Sequence, residues 1–155
     1  MPVKRLKAFL DEHQVRYRTM SHSSAYTAQE TAAATHIPGK SLAKTVMVKV
    51  DGRMTMVVLP GTYKIDLHLL KKALGASTVE LAPEAEFTEM FPDCEIGAMP
   101  PFGNLYGVPV LVAESLRENR EIAFSAGTHT EVIAVDFADF ERLVTPTALT
   151  CAERA

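Results

Sequence analysis

Asp51-Gly52 stands between two β-rich runs, AKTVMVKV and RMTMVVLP, and restricts the fold more tightly than any other stretch of the chain. An Asp-Gly pair accepts positive φ at both positions, as a two-residue hairpin turn requires. The two runs must then pair antiparallel, in a register set by the turn. Lys44, Val46, Val48 and Val50 fall on one face, opposite Val57 and Leu59, and Thr45 falls on the other face.

The remaining elements follow from spacing and punctuation. Val3, Leu6, Phe9 and Leu10 recur at helical intervals and predict a helix over 3–13. A short strand is expected at Tyr17–Met20. Thr27 precedes Glu30 by three residues, a capping box that opens a helix running to about Thr35. Asp66 caps a helix from Leu67 to Leu74, which Gly75 closes. STVELAP reads as a strand, and Pro83 suits the first turn of a helix to about Met90. GVPVLVA, EIAFSA and EVIAVDF are three further strands, and a short helix follows near 138–143. Strands and helices are interspersed, but the tight hairpins exclude a doubly wound parallel sheet. The expected class is α+β (mixed α/β): one domain over 1–155, with a mostly antiparallel or mixed, curved central sheet flanked by short helices. The tail, 146–155, is expected to fray.

Charge and composition narrow the function. A net charge of −3 argues against coating long stretches of nucleic acid, which takes many phosphate contacts, but leaves room for one or two. No apolar run approaches the roughly 20 residues of a membrane helix, and the N-terminus lacks the pattern of a secretory signal. Cys94 and Cys151 lie far apart without a CxxC, so free thiols and a cytoplasmic location are expected. His13, His22, His36, His68 and His129 lack metal-ligand spacing. GxSxG, HExxH, P-loop and GxGxxG patterns are all missing. Neither a metal nor a cofactor is expected.

Three stretches could carry chemistry. Lys44 begins an otherwise apolar strand face, so it either snorkels from the strand end or offers a cation at the rim of an apolar pocket. IGAMPPFGNLYG, at 96–107, has its φ angles fixed by two prolines and its backbone bared by glycines. Such a loop is a plain connector or a rigid wall for a polar group. SAGTHTE, at 125–131, puts His129 on a turn between strands, where a histidine is either a solvated surface residue or a site residue.

The ordered set of a lysine opening a strand in AKTVMVKVDGRMTMVVLPG, the loop GAMPPFG and the turn AGTHTE resembles the YbaK/prolyl-tRNA-synthetase-associated domain family. Members of that family deacylate mischarged aminoacyl-tRNA. The resemblance runs from about HSSAYTAQE to ADFERLV. It implies that Lys44 contacts the 3′-terminal phosphate of the tRNA. It also implies that the Gly97 backbone positions the aminoacyl group or the attacking water, and that His129 lines the substrate site. By extension Thr45, Ala98, Met99, Pro100, Pro101, Phe102, Gly103, Gly127 and Thr128 are expected to touch substrate. The family generally lacks a protein nucleophile and is believed to use the terminal 2′-hydroxyl and an ordered water. That accords with the missing triad. The implied substrate is a small misattached amino acid (Cys, Ala, Ser or Thr class) on tRNA, with tRNA-Pro foremost, edited in trans. The implied partners are the aminoacyl-tRNA acceptor end and a synthetase such as prolyl-tRNA synthetase, with no membrane. Alanine-type members tend to carry Asn after the lysine, whereas the Lys44-Thr45 pair resembles cysteinyl-type members. Two other readings stand beside this one: a non-catalytic module binding tRNA or a synthetase, and a thiol-dependent hydrolase using Cys94.

Overall fold

The computed structural model describes residues 4–154. Val3, expected on the first helix, lies outside them. Among the described residues five α-helices are present: α1 (Lys4–Glu12), α2 (Ala28–Thr35), α3 (Leu67–Leu74), α4 (Glu84–Phe87) and α5 (Phe137–Val144). Ten strands run in chain order as β1 (Tyr17–Ser21), β2 (Ala43–Val50), β3 (Arg53–Pro60), β4 (Tyr63–Ile65), β5 (Val79–Leu81), β6 (Val110–Ala113), β7 (Glu121–Ser125), β8 (Glu131–Asp136), β9 (Thr147–Leu149) and β10 (Ala152–Arg154).

The Asp-Gly hairpin forms as its residues require. Asp51 and Gly52 both take positive φ, and Lys44 pairs with Leu59, Val46 with Val57. Asp51 also accepts from the amides of Ser77 and Thr78, tying the turn to the strand that follows α3. The caps read from sequence are in place. Thr27 Oγ1 accepts from the Glu30 amide, Asp66 Oδ1 accepts from the Leu69 amide, and Gly75 closes α3 in the left-handed region.

The strands divide among sheets of five, three and two. The five-stranded sheet has the order β5-β2-β3-β6-β9 and is mixed: the β3–β6 and β6–β9 pairs are parallel, the others antiparallel. The three-stranded sheet, β1-β8-β7, is antiparallel. A parallel bridge between Leu42 and Ala123 links the two. The central core fills the space between them. Met47, Met56, Val58 and Val112 from one sheet meet Ile122, Phe124, Ile133 and Val135 from the other, with Leu6 and Leu10 of α1 and Phe140 of α5. The reverse face of the larger sheet, including Val48, Val57 and Leu59, packs on Leu70 of α3; that of the smaller sheet packs under α2. β3 is thus buried on both faces, which explains its nearly continuous apolar run.

The tail departs from expectation. Thr147–Leu149 extends the large sheet beside β6, and Ala152–Arg154 pairs with β4. Cys151 between them is fully buried, and its carbonyl accepts from the Asp66 amide at 2.8 Å. The segment is held by tertiary pairing, which outweighs its weak local propensity.

Half of the glycine-proline loop is also core. Ala98 through Gly103 is buried. Two prolines suit such a place, because neither has an amide to leave unsatisfied. Phe102 lies against Phe9, Phe124 and Phe140 at ring-centroid distances of 6.2, 5.5 and 5.7 Å. Phe102→Leu is expected to cost about 1–2 kcal/mol, a fall in Tm of roughly 2–8 °C in thermal unfolding. A ring serving only a ligand pocket would show no such loss.

Candidate active site

Four chain segments converge on one small pocket. Its wall is formed by Ala25–Ala28 and Thr31 at the start of α2, Leu42–Thr45 at the start of β2, Gly97 and Met99 of the loop, and Ser125 and His129 around the β7–β8 turn. Its volume is about 190 Å³. β5 pairs only with Val48–Val50 of β2, and the Met47 carbonyl accepts from the Ala82 amide. Residues of both faces at the start of β2, Ala43 to Thr45, line the pocket. Thr45, expected to point away from Lys44, thus lines the same pocket.

His129 is held by main chain. Its Nε2–H donates to the Ile96 carbonyl at 2.7 Å, because a carbonyl can only accept. The His129 amide donates to Glu95 Oε1 at 2.8 Å, and its carbonyl accepts from the Ala25 amide at 3.0 Å. Two more bonds clamp the loop to the turn: the Glu95 amide donates to Gly127 O at 2.7 Å, and the Gly127 amide to Ala98 O at 2.8 Å. Gly97 crosses the ring at a φ of +86°, and a Cβ built on it would sit 3.4 Å from His129 Cε1.

Lys44 is partly buried, and among the described residues no hydrogen-bonding or ion-pair partner reaches its ammonium. Burial lowers its pKa from the ordinary lysine value. A half-desolvated cation without a counter-ion, at the rim of a pocket, is arranged to receive an anion.

The residues expected from sequence part into three sets. Lys44, Thr45, Gly97, Met99 and His129 share the pocket wall. Ala98, Pro100, Pro101, Phe102 and Gly103 stand behind it, in the buried half of the loop. Gly127 serves the clamp, and the Thr128 hydroxyl pairs with that of Thr130 at 3.3 Å. Ala25, Tyr26, Thr27, Ala28, Thr31, Leu42, Ala43 and Ser125 are wall residues that sequence reasoning missed. The α2 capping box and the stretches AKTVMVKV and SAGTHTE pointed near them.

Cys94 lies outside the wall. Burial pushes its thiol up to about 11, with the Tyr106 hydroxyl 3.5 Å from its sulfur, so it stays protonated at neutral pH. Among the described residues no three His, Cys, Asp or Glu side chains cluster as a metal site, and no helix is long and apolar enough to cross a membrane.

Similarity to known proteins follows the pocket. Part of a proline–tRNA ligase of Bacillus mycoides (strain KBAB4) is 32% identical over 75 residues, 48% of this chain and 13% of the ligase. One from Bacillus cereus (strain G9842) is 28% identical over 93 residues, 60% of this chain and 16% of that ligase. The chain thus spans only a small part of these relatives. Among solved structures, a hypothetical protein superposes with a TM-score of 0.86 at 18% identity, over 97% of this chain and 100% of that one. A proposed trans-editing enzyme for prolyl tRNA synthetase gives 0.82 at 19% identity, over 97% of this chain and 96% of that one. These two share the fold. The sequence profile of the aminoacyl-tRNA editing domain matches residues 22–143. Most of the chain, with every residue of the pocket wall, lies inside that match, and the protein belongs to the aminoacyl-tRNA editing domain family.

Proposed function

We propose that this protein is an aminoacyl-tRNA deacylase that hydrolyses the ester between a small misattached amino acid and tRNA. The observation that carries this reading is the meeting of Lys44, Gly97 and His129 at one pocket of about 190 Å³. Ordinary ligand pockets measure roughly 300–1,000 Å³. A smaller one suits an acyl group whose carrier stays outside. A synthetase cannot strongly reject a smaller amino acid on binding alone, since one methylene is worth about 1–3 kcal/mol, so a second, small site is needed.

In this reading Lys44 takes the phosphate nearest the ester, and the main chain at Gly97 lies against the aminoacyl group. Water attacks the ester carbonyl, and the bond to the ribose oxygen breaks. That oxygen leaves with a proton, assisted by the neighbouring ribose hydroxyl. Free amino acid and intact tRNA are released. His129, fixed by Ile96, lines the reacting centre. Positioning and fixed dipoles supply the acceleration. The substrate is of the Cys, Ala, Ser or Thr class, carried by tRNA-Pro and edited in trans. The similarity to segments of proline–tRNA ligases and to a proposed trans-editing enzyme supports that choice of tRNA.

The test is release of amino acid from tRNA-Pro charged in turn with Ala, Cys, Ser, Thr and Pro. Turnover of at least one small ester, with Pro-tRNA spared, is expected. Binding without turnover across the panel is the behaviour of a non-catalytic module and would overturn the proposal. Cys94→Ala is expected to retain full activity in the same assay. Loss of turnover with the fold intact would instead indicate a thiol mechanism.

A further inference from the structure

Tyr26 carries an aromatic ring into water at the mouth of the pocket. Among the described residues the large apolar side chains that stand in solvent are Tyr26, 69% exposed, Leu81, 57%, and Ile96, 45%. Two of these three adjoin His129. The Tyr26 ring centroid lies 4.7 Å from that of the imidazole, at 46° between planes. Ile96 provides the carbonyl that holds Nε2. The contact with the imidazole leaves most of the Tyr26 side chain in solvent. Thr27 caps α2, Ala25 is the buried neighbour that bonds to the His129 carbonyl, and the Tyr26 hydroxyl has no partner among the described residues. An exposed aromatic face beside a pocket is a surface on which a planar ligand can stack.

We propose that Tyr26 is the stacking platform for the terminal base of the tRNA 3′ end, a role that rests on the deacylase reading. Single-stranded ends are held by aromatic rings because every base has a π-face, and each such stack is worth about 1–3 kcal/mol. Tyr26, Lys44, Gly97 and His129 share one pocket wall. A base on the exposed face of Tyr26 leaves its ribose, which bears the ester, over Gly97 and His129, with the adjoining phosphate toward Lys44. One nucleotide is thus held at base, sugar and phosphate.

The test uses an uncharged acceptor-stem oligonucleotide whose terminal adenine is replaced by 2-aminopurine, which dims when stacked. Wild type and Tyr26→Phe are expected to bind and quench it. Tyr26→Leu, which keeps an apolar cover over the imidazole but has no π-face, is expected to bind roughly tenfold to a hundredfold more weakly and leave it bright. With charged tRNA, Tyr26→Leu should raise KM and leave kcat near wild type. Failure of wild type to bind or quench, or equal quenching by Tyr26→Leu, overturns the platform. Turnover of charged tRNA alongside equal quenching removes the platform and leaves the deacylase reading standing. The quenching pattern without turnover of any charged tRNA supports the platform and removes the deacylase reading.

Discussion

Gly97→Val is expected to lower kcat/KM for a mischarged tRNA by roughly a hundredfold to a thousandfold, about 3–4 kcal/mol of transition-state stabilisation. Two effects act together. The backbone at 97 has a φ of +86°, where a β-branched residue is strained by about 1–3 kcal/mol. Its Cβ would also lie in contact with His129 Cε1 at 3.4 Å, and in the proposed reading the added γ-methyls take space the acyl group needs. Gly97→Ala carries most of the strain and little of the bulk, so it separates the two. Alanine is expected to lose stability in thermal unfolding but retain more turnover than valine. Wild-type rates in Gly97→Val would remove the bare main chain from the mechanism.

The second large effect is at Lys44. Lys44→Met keeps the length of the side chain and removes its charge. The expected result is a fall in kcat/KM of about a hundredfold, mostly through KM, with a salt dependence shallower by about one contact. Folding should not suffer. Methionine suits a face shared with Val46 and Val48, and the variant is expected to be as stable as wild type or more so by about 0.5–1 kcal/mol in denaturant titration. The pH profile carries the same information. Burial lowers the lysine's pKa, so its charge is lost at a lower pH than for an ordinary lysine, and the proposed phosphate contact is expected to weaken with it. The sign for stability is opposite. Between the lowered folded pKa and the ordinary unfolded one, the unfolded chain binds more protons, so stability rises with pH while affinity falls. A Lys44→Met variant with wild-type KM and salt slope would show that no phosphate meets this residue.

How much of this was legible in the sequence depended on the range of the interactions. The hairpin at Asp51-Gly52, the cap at Thr27 and the Asp66-to-Gly75 helix were readable because each is decided within a few residues. The tail was not. TALT and CAER have no clear alternation, and their strands exist only because β6 and β4 offer partners more than thirty residues away. The glycine-proline loop was half legible: Gly97 faces the pocket, whereas Phe102 fills the core, and a rigid loop looks the same in both roles. Lys44, Gly97 and His129 were singled out by composition and by the resemblance together. The pocket's small residues, Ala25, Ala28, Ala43 and Ser125, carry no periodic signal, because a cavity is defined by side chains that stop short.

Two of the four hydrogen bonds between the loop at 95–98 and the turn at 127–129 run from peptide to peptide. Peptide groups are the same whatever side chains they carry. Architecture held this way tolerates changes of most letters, and solved structures at 18% and 19% identity share the fold almost from end to end. For such a fold, likeness is better sought in which carbonyl faces which amide than in any run of matching letters.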